Sequence, residues 1–173
     1  MATPVVDFAL TVPEADAEQL VLVGTSLGGY LAARAAAFEH RIAACVLHDG
    51  VDDFHEVAAA TAGRAAATPG GMEMSGAQRP VDLRCDFDEL VEATEAYTMA
   101  GIAGRITCPT LVLDAENDVF FKGQPRRLFG ELTCRKELIL FREDEGAGEH
   151  CHEGAISLFH QRTFDWLDTL LAG

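Results

Sequence analysis

The sequence predicts an α/β domain, a mainly parallel sheet with flanking helices, and three observations carry that prediction. Short apolar runs that stop at glycine or aspartate alternate with segments of helical pattern. The runs carry almost no polar residue, as in strands covered by helices on both faces. With 49% hydrophobic residues in a chain of 173, there is enough apolar side chain for one sizeable core.

The first strand spans residues 20–24, opening at Leu20 and stopping at Gly24, and an alanine-rich helical stretch, residues 27–38, follows after a tight turn. Residues 42–47 read as a second, buried strand. From 50 to 105 the alternation lapses: a small-residue helix end, the Pro/Gly-rich "TPGGMEMSGAQRP" and an acidic helix over 87–99 read as an insertion within the single domain 1–173. "TLVLD", residues 110–114, resumes the sheet after Pro109, residues 124–132 form a helix, and 137–141 a fourth strand. The last helix, from about 153 to 171, is expected to set Ile156, Phe159, Phe164, Leu167 and Leu171 near one face.

Between the first strand and its helix stands "GTSLG", a G-x-S-x-G pattern around Ser26. A serine on a sharp strand-to-helix turn projects its hydroxyl above the sheet, and glycines two before and two after let strand and helix approach. The turn also directs free N–H groups of the helix start at a developing oxyanion, that of Leu27 first.

A serine hydroxyl needs a base, and the base an orienting carboxylate, expected in the chain order Ser, acid, His. Of the histidines, His40 and His160 read as helical surface or packed residues, and His48 ends the second strand. His150 lies in "EGAGEHCHEGA", the glycine-bearing loop between the fourth strand and last helix, with His152 as its rival. For the acid, "TLVLDAENDVFF" offers Asp114, Glu116 and Asp118; Asp114 belongs to the strand, so Asp118 just beyond it is favoured, with Asp49 after the second strand as the alternative.

Other chemistries lack support. His55-Glu56 has Ala59 where a zinc-binding HExxH helix needs histidine, His150-Cys151-His152 are adjacent residues of a kind that rarely converge on one ion and no second cluster supports them, and there is no GxGxxG or P-loop, so neither metal nor cofactor is expected. A net charge of −15 opposes binding to nucleic acid or to anionic membrane surfaces. No run is long enough to span a bilayer, "MATPVVDFAL" lacks a signal peptide's basic start, and five cysteines without CxxC spacing suit a reducing cytoplasm.

"VGTSLGGYLAARAAAFEHRIAACVLHDG", "RITCPTLVLDAENDVFF" and "GAGEHCHEGAISLFHQRTFDWLDTLL" together resemble the α/β-hydrolase superfamily, in its dipeptidyl-aminopeptidase or acylaminoacyl-peptidase-like section. They are most similar to the branch with 2,6-dihydroxypseudooxynicotine hydrolase and the fungal yellowish-green polyketide-shortening hydrolases. The resemblance implies Ser26 as nucleophile, Asp118 as acid, His150 as base, a partial lid over 50–105, and a small-molecule substrate cleaved at an ester-like bond or at a carbon–carbon bond next to a ketone. It also implies an α/β-hydrolase sheet lacking its N-terminal strands, as in the C-terminal portion of a longer reading frame, and lacking the loop that gives the second oxyanion donor. The strand at Leu20 to Gly24 would then be an edge, open to a second copy or a complementing chain. Two functions follow as expectations: a serine hydrolase, or a catalytically weak or inactive chain that serves as an assembly subunit.

Overall fold

The computed structural model describes residues 2–67 and 87–172. Four strands, β1 (Val21–Thr25), β2 (Ala44–His48), β3 (Thr110–Ala115) and β4 (Lys136–Phe141), form one sheet in the order β1-β2-β3-β4. All neighbours are parallel, with Val21 opposite Ala44, Cys45 opposite Thr110, and Thr110 opposite Lys136. β2 and β3 are buried at every position, which is why their sequences show no polar alternation.

The helices are α1 (Thr3–Ala9), α2 (Leu27–Ala36), α3 (Phe54–Ala67), α4 (Phe87–Ala93), α5 (Gln124–Glu131) and α6 (Ile156–Leu171). Ala44, Val46, Leu111, Leu113 and Phe141 of the sheet pack with Ala147 and with Phe159 and Leu167 of α6. On the other side, Leu47, Val112 and Leu128 of α5 surround Gly50. Each fully buried Leu or Phe of this kind contributes about 1.5–3 kcal/mol, so the two layers hold the strand ends that carry the polar residues.

Glycine has a steric task at Gly24, where a Cβ would lie 2.0 Å from the Gly28 carbonyl oxygen and 2.6 Å from Ala32 Cβ. The expectation that Gly28 matches it is corrected: a Cβ there meets nothing within 4 Å. It is Gly29 that lets α2 approach the chain after β2, its Cβ position lying 3.2 Å from the Asp49 carbonyl oxygen. The last helix also differs. It begins at Ile156, after a left-handed Gly154, and its inward face is Phe159, Thr163 and Leu167, whereas Ile156 and Phe164 are exposed. Positions 159, 163 and 167 recur every four residues, so Phe164 falls beside the stripe.

The chain divides into two compact units, Met1–Asp52 with Met99–Gly173, and Asp53–Thr98. Within the second, Asp53 and Thr98 form an antiparallel bridge, the Phe54 N–H donates to the Tyr97 carbonyl at 2.9 Å, and His55 Nδ1 lies 3.0 Å from the Val91 carbonyl oxygen. The helix expected over 87–99 ends at Ala93, because Thr94 turns the chain: its N–H and hydroxyl both bond the Val91 carbonyl. The Pro/Gly-rich stretch, residues 68–80, lies outside the described residues.

Among the described residues, β1 of the first unit pairs on one side only, with β2. Val23, 48% exposed, and exposed Leu31 and Phe38 of α2 and the turn after it border a groove of about 730 Å³ along that edge. The groove does not include Ser26.

Candidate active site

β1 and β2 run to the same end of the sheet, and the residues just after both, Ser26 and Asp49, have left-handed φ there. Ser26 has φ 57° and ψ −126°, left-handed in φ for a residue with a side chain. Such a conformation costs on the order of 1–3 kcal/mol and persists only where its surroundings impose it. Here the Ser26 N–H donates to the His48 carbonyl at 3.0 Å and the Ser26 carbonyl accepts from Gly29 N–H at 2.7 Å, so β2 and α2 hold the turn from both sides. Leu27 is the first residue of α2, and a first-turn N–H has no intrahelical acceptor.

The structure brings His150 to Ser26 across 124 positions of sequence: His150 Nε2 lies 3.0 Å from Ser26 Oγ. His150 occupies a short 3-10 turn, His150–His152, in which Cys151 and His152 both have φ above 50°. Asp118 follows β3, and its Oδ2 lies 2.9 Å from His150 Nδ1. Its Oδ1 accepts the N–H groups of Phe120 (2.7 Å) and Phe121 (3.0 Å), a turn that locks the carboxylate. A further bond, Asn117 N–H to the Gly148 carbonyl at 2.8 Å, ties the acid's loop to the histidine's loop. Since carboxylates only accept, the imidazole proton belongs on Nδ1 and Nε2 is left to accept from the serine hydroxyl.

Burial would raise the Asp118 carboxyl, but His150 and the Phe121 and Phe120 N–H groups outweigh it and hold Asp118 below the usual aspartate range. Burial likewise opposes charge on His150, yet Asp118 and then Asp49 prevail, so His150 is raised above an ordinary histidine. The rings of Phe120 and Phe121 stand 5.0 and 4.9 Å from the His150 ring, an apolar flank for a polar contact.

Of the other candidate residues, Asp49 reaches the site and the rest lie elsewhere. Asp114 stays in β3 and pairs with Arg126 at 2.8 Å, and Glu116 accepts from the Glu143 N–H. His40 and His160 are exposed; His160 is on α6 as expected, but His40 lies in a turn beyond the end of α2 rather than in a helix. Asp49 is at the site but is not the nearest acid: its Oδ2 accepts the Cys151 N–H and lies 3.3 Å from His150 Nδ1. His152 points into the core, stacked on Phe141 at 3.8 Å, and His48 stacks on Phe159 at 4.0 Å. Burial is the main cause that pushes His48 down to about 3 and His152 down to about 4, so both are neutral. Their free nitrogens lean on the Cys151 and Ala147 carbonyls, too loosely for formed hydrogen bonds.

Among the described residues, two groups of side chains cluster as metal donors could, His48, Asp49 and His152, and Asp49, His150 and Cys151. The gap from Asp49 to His152, 3.9 Å, exceeds the roughly 3.4 Å between ligand atoms of a tetrahedral zinc site. The first group is therefore read as a buried polar cluster. Sequence reasoning missed this cluster and the Phe120 and Phe121 clamp; the clamp's only trace is an aspartate followed two and three residues later by "FF".

A family model described as the α/β hydrolase fold matches residues 12–89. 20-Hydroxy-prefusarin hydrolase FUS2 of Gibberella moniliformis (strain M3125 / FGSC 7600) is 28% identical over 193 aligned residues, covering 91% of this chain and 44% of that protein. Hydrolyase poxO of Penicillium oxalicum is 30% identical, covering 88% of this chain and 44% of its own length. Among solved structures, 2,6-dihydroxy-pseudo-oxynicotine hydrolase superposes with a TM-score of 0.73 at 23% identity over 99% of this chain and 46% of that one. The α/β hydrolase GrgF from Penicillium sp. sh18 gives 0.71 at 17% identity, over 99% of this chain and 70% of its own. The chain thus spans under half the length of the curated relatives it matches. The parallel sheet with flanking helices is the α/β-hydrolase fold, and the similarity to these fungal hydrolases and to 2,6-dihydroxy-pseudo-oxynicotine hydrolase supports an α/β hydrolase of that branch.

Proposed function

We propose that this chain carries serine-hydrolase chemistry, with Ser26 as nucleophile, His150 as general base and then acid, and Asp118 as the carboxylate that orients the imidazole. The observation that carries the reading is the continuous relay of 3.0 Å from Ser26 Oγ to His150 Nε2 and 2.9 Å from His150 Nδ1 to Asp118 Oδ2. Ser26 Oγ attacks the substrate carbonyl while its proton passes to Nε2. The tetrahedral oxyanion accepts the Leu27 N–H, and His150 returns the proton to the leaving group. Water, deprotonated by the same nitrogen, then releases the acyl group and restores Ser26. The substrate is a small molecule with an ester-like bond or a carbon–carbon bond beside a ketone; support comes from the superfamily and from relatives such as the hydrolase whose name specifies 20-hydroxy-prefusarin. A cytoplasmic setting is in keeping with the described cysteines, all free thiols.

A fluorophosphonate probe, which reacts with an activated serine, tests the reading. Labelling is expected at Ser26 and is expected to vanish in Ser26→Ala; equal labelling of that variant would remove Ser26 from the mechanism.

One observation favours a second reading, an assembly role: the bare edge of β1 beside an apolar groove. We propose a second copy of this chain as its occupant, since a strand edge can pair with its own copy across a two-fold axis without any other sequence. Sedimentation is expected to show dimers that Val23→Pro weakens; a monomer at high concentration rejects this role and leaves the hydrolase reading intact.

A further inference from the structure

Asp49 is a buried carboxylate that a Ser-His-Asp relay does not use. It is fully buried, sits at φ 53° after β2, and aims Oδ2 at two groups of the histidine turn: the Cys151 N–H, to which it is hydrogen-bonded, and His150 Nδ1, 3.3 Å away. Asp118 approaches the same nitrogen from the loop after β3 at 2.9 Å. One imidazole N–H therefore faces two carboxylates. Asp49 Oδ1 has no hydrogen-bond partner among the described residues.

We infer that Asp49 is a second acid of the site, a positioning residue that shares with Asp118 the stabilisation of the His150 imidazolium and fixes the backbone at Cys151. The inference rests on the proposed relay.

The surroundings of Asp49 decide where its charge acts. From the histidine turn it meets His150, Cys151 and, at 3.9 Å, His152; from the β3 loop, Asp118 acts on it; His48 precedes it on β2. His48 and His152 are neutral because they are buried, and Asp118 is an anion. Glu153 adds negative charge near His150, while Arg162 and His160 act on His152 and His48. Of the groups that act on Asp49, only His150 can become a cation beside it. When the Ser26 proton reaches Nε2, the resulting imidazolium lies against both carboxylates. Burial, the largest influence, pushes Asp49 itself up to about 6, so the two groups titrate together.

The second role is mechanical. Cys151 has φ 54°, a costly conformation for a residue with a Cβ, and its N–H is held by Asp49. That bond pins the residue after His150 to the end of β2, which also receives the Ser26 N–H through the His48 carbonyl. β2 thereby sets the spacing between nucleophile and base.

The test uses Asn variants, whose side-chain oxygen can still accept the Cys151 N–H while the charge is gone. The His150 titration is followed by imidazole NMR, which needs no turnover. Asp49→Asn is expected to lower the His150 pKa by about 0.5–1 unit, Asp118→Asn by more, and the double variant below either. With the fluorophosphonate probe, Asp49→Asn is expected to slow labelling about 3–10-fold alone and by a larger factor in the Asp118→Asn background, where it is the remaining carboxylate. An unchanged His150 pKa in Asp49→Asn, or a double variant no slower than Asp118→Asn, overturns the inference. If Asp49→Asn does not fold, the wild-type Asp49 carboxyl carbon serves instead: it should show an inflection shared with His150, and its absence also overturns the inference. A shift in pKa without probe reaction in any form would defeat the hydrolase reading while supporting the charge contact of Asp49 with His150.

Discussion

His150 and His152 stand two residues apart in one turn and have opposite fates. The side chain of His150 is 20% exposed, faces two carboxylates and is raised above the ordinary histidine range. His152 is fully buried against Phe141 and is pushed down to about 4. The chain conformation separates them: left-handed φ at Cys151 and His152 lets one ring look out over the sheet's end and the other into the core. The difference teaches that a histidine's charge is set by what it faces. Full burial outweighs the more distant carboxylates and keeps His152 neutral, whereas partial burial with carboxylates at 2.9 and 3.3 Å favours the cation at His150.

The largest effect that would break this comparison is catalytic. His150→Ala is expected to slow fluorophosphonate labelling by about 10³-fold or more with little change in thermal stability, as for loss of a triad base. His152→Ala should reverse the pattern, losing about 2–4 kcal/mol in denaturant unfolding through the cavity it leaves, while the folded protein still labels. If His152→Ala abolishes labelling in folded protein and His150→Ala does not, the roles exchange.

Next comes Asp118→Asn, expected to reduce labelling about 10²–10⁴-fold, because the amide can donate to Nδ1 and favour the wrong tautomer. Asp114→Asn, already engaged with Arg126, should leave labelling within about threefold. A larger loss from Asp114 than from Asp118 would contradict the relay.

Acid sharpens the comparison through stability. His48 and His152 bind protons in the unfolded chain below about pH 6.5 but in the folded one only near 3 and 4. Stability should therefore fall as pH drops from about 6.5 towards 4, by about 1.4 kcal/mol per pH unit for each of the two. His150, raised in the folded state, works the other way: its contribution is full below its unfolded pKa and is lost as pH rises through the folded one. His152→Gln should flatten the acid slope by one histidine's share; an unchanged slope in urea titrations between pH 6.5 and 4 would show that His152 is not buried neutral.

The smallest effect concerns the hinge between the two rings. Cys151→Gly should relieve the left-handed strain and keep the N–H that Asp49 holds, so stability should change by no more than about 1 kcal/mol and labelling by less than about threefold. A large loss would mean that the Cys151 side chain itself supports the turn.

The amino-acid sequence alone determined the strand–helix alternation, because apolar runs such as "TLVLD" and the alanine-rich helix after Ser26 are local signals of burial and propensity. It also determined the G-x-S-x-G turn and the short lists of histidines and aspartates from which a relay could be drawn. Position beyond a strand end already favoured Asp118 and His150 over their rivals, and tertiary structure supplied the contacts between them. The distance from Asp118 rather than Asp114 to His150 depends on where β3 ends and on the Phe120 and Phe121 N–H clamp, neither of which leaves a periodic trace. The inward turn of His152, the shift of the α6 stripe from Phe164 to Thr163, and the contact of Asp49 with Cys151 likewise arise between segments far apart in sequence. The physical reason is that hydrophobic pattern acts over a few neighbouring residues, whereas the protonation and direction of a polar side chain are set by whatever charges and backbone groups packing brings to it.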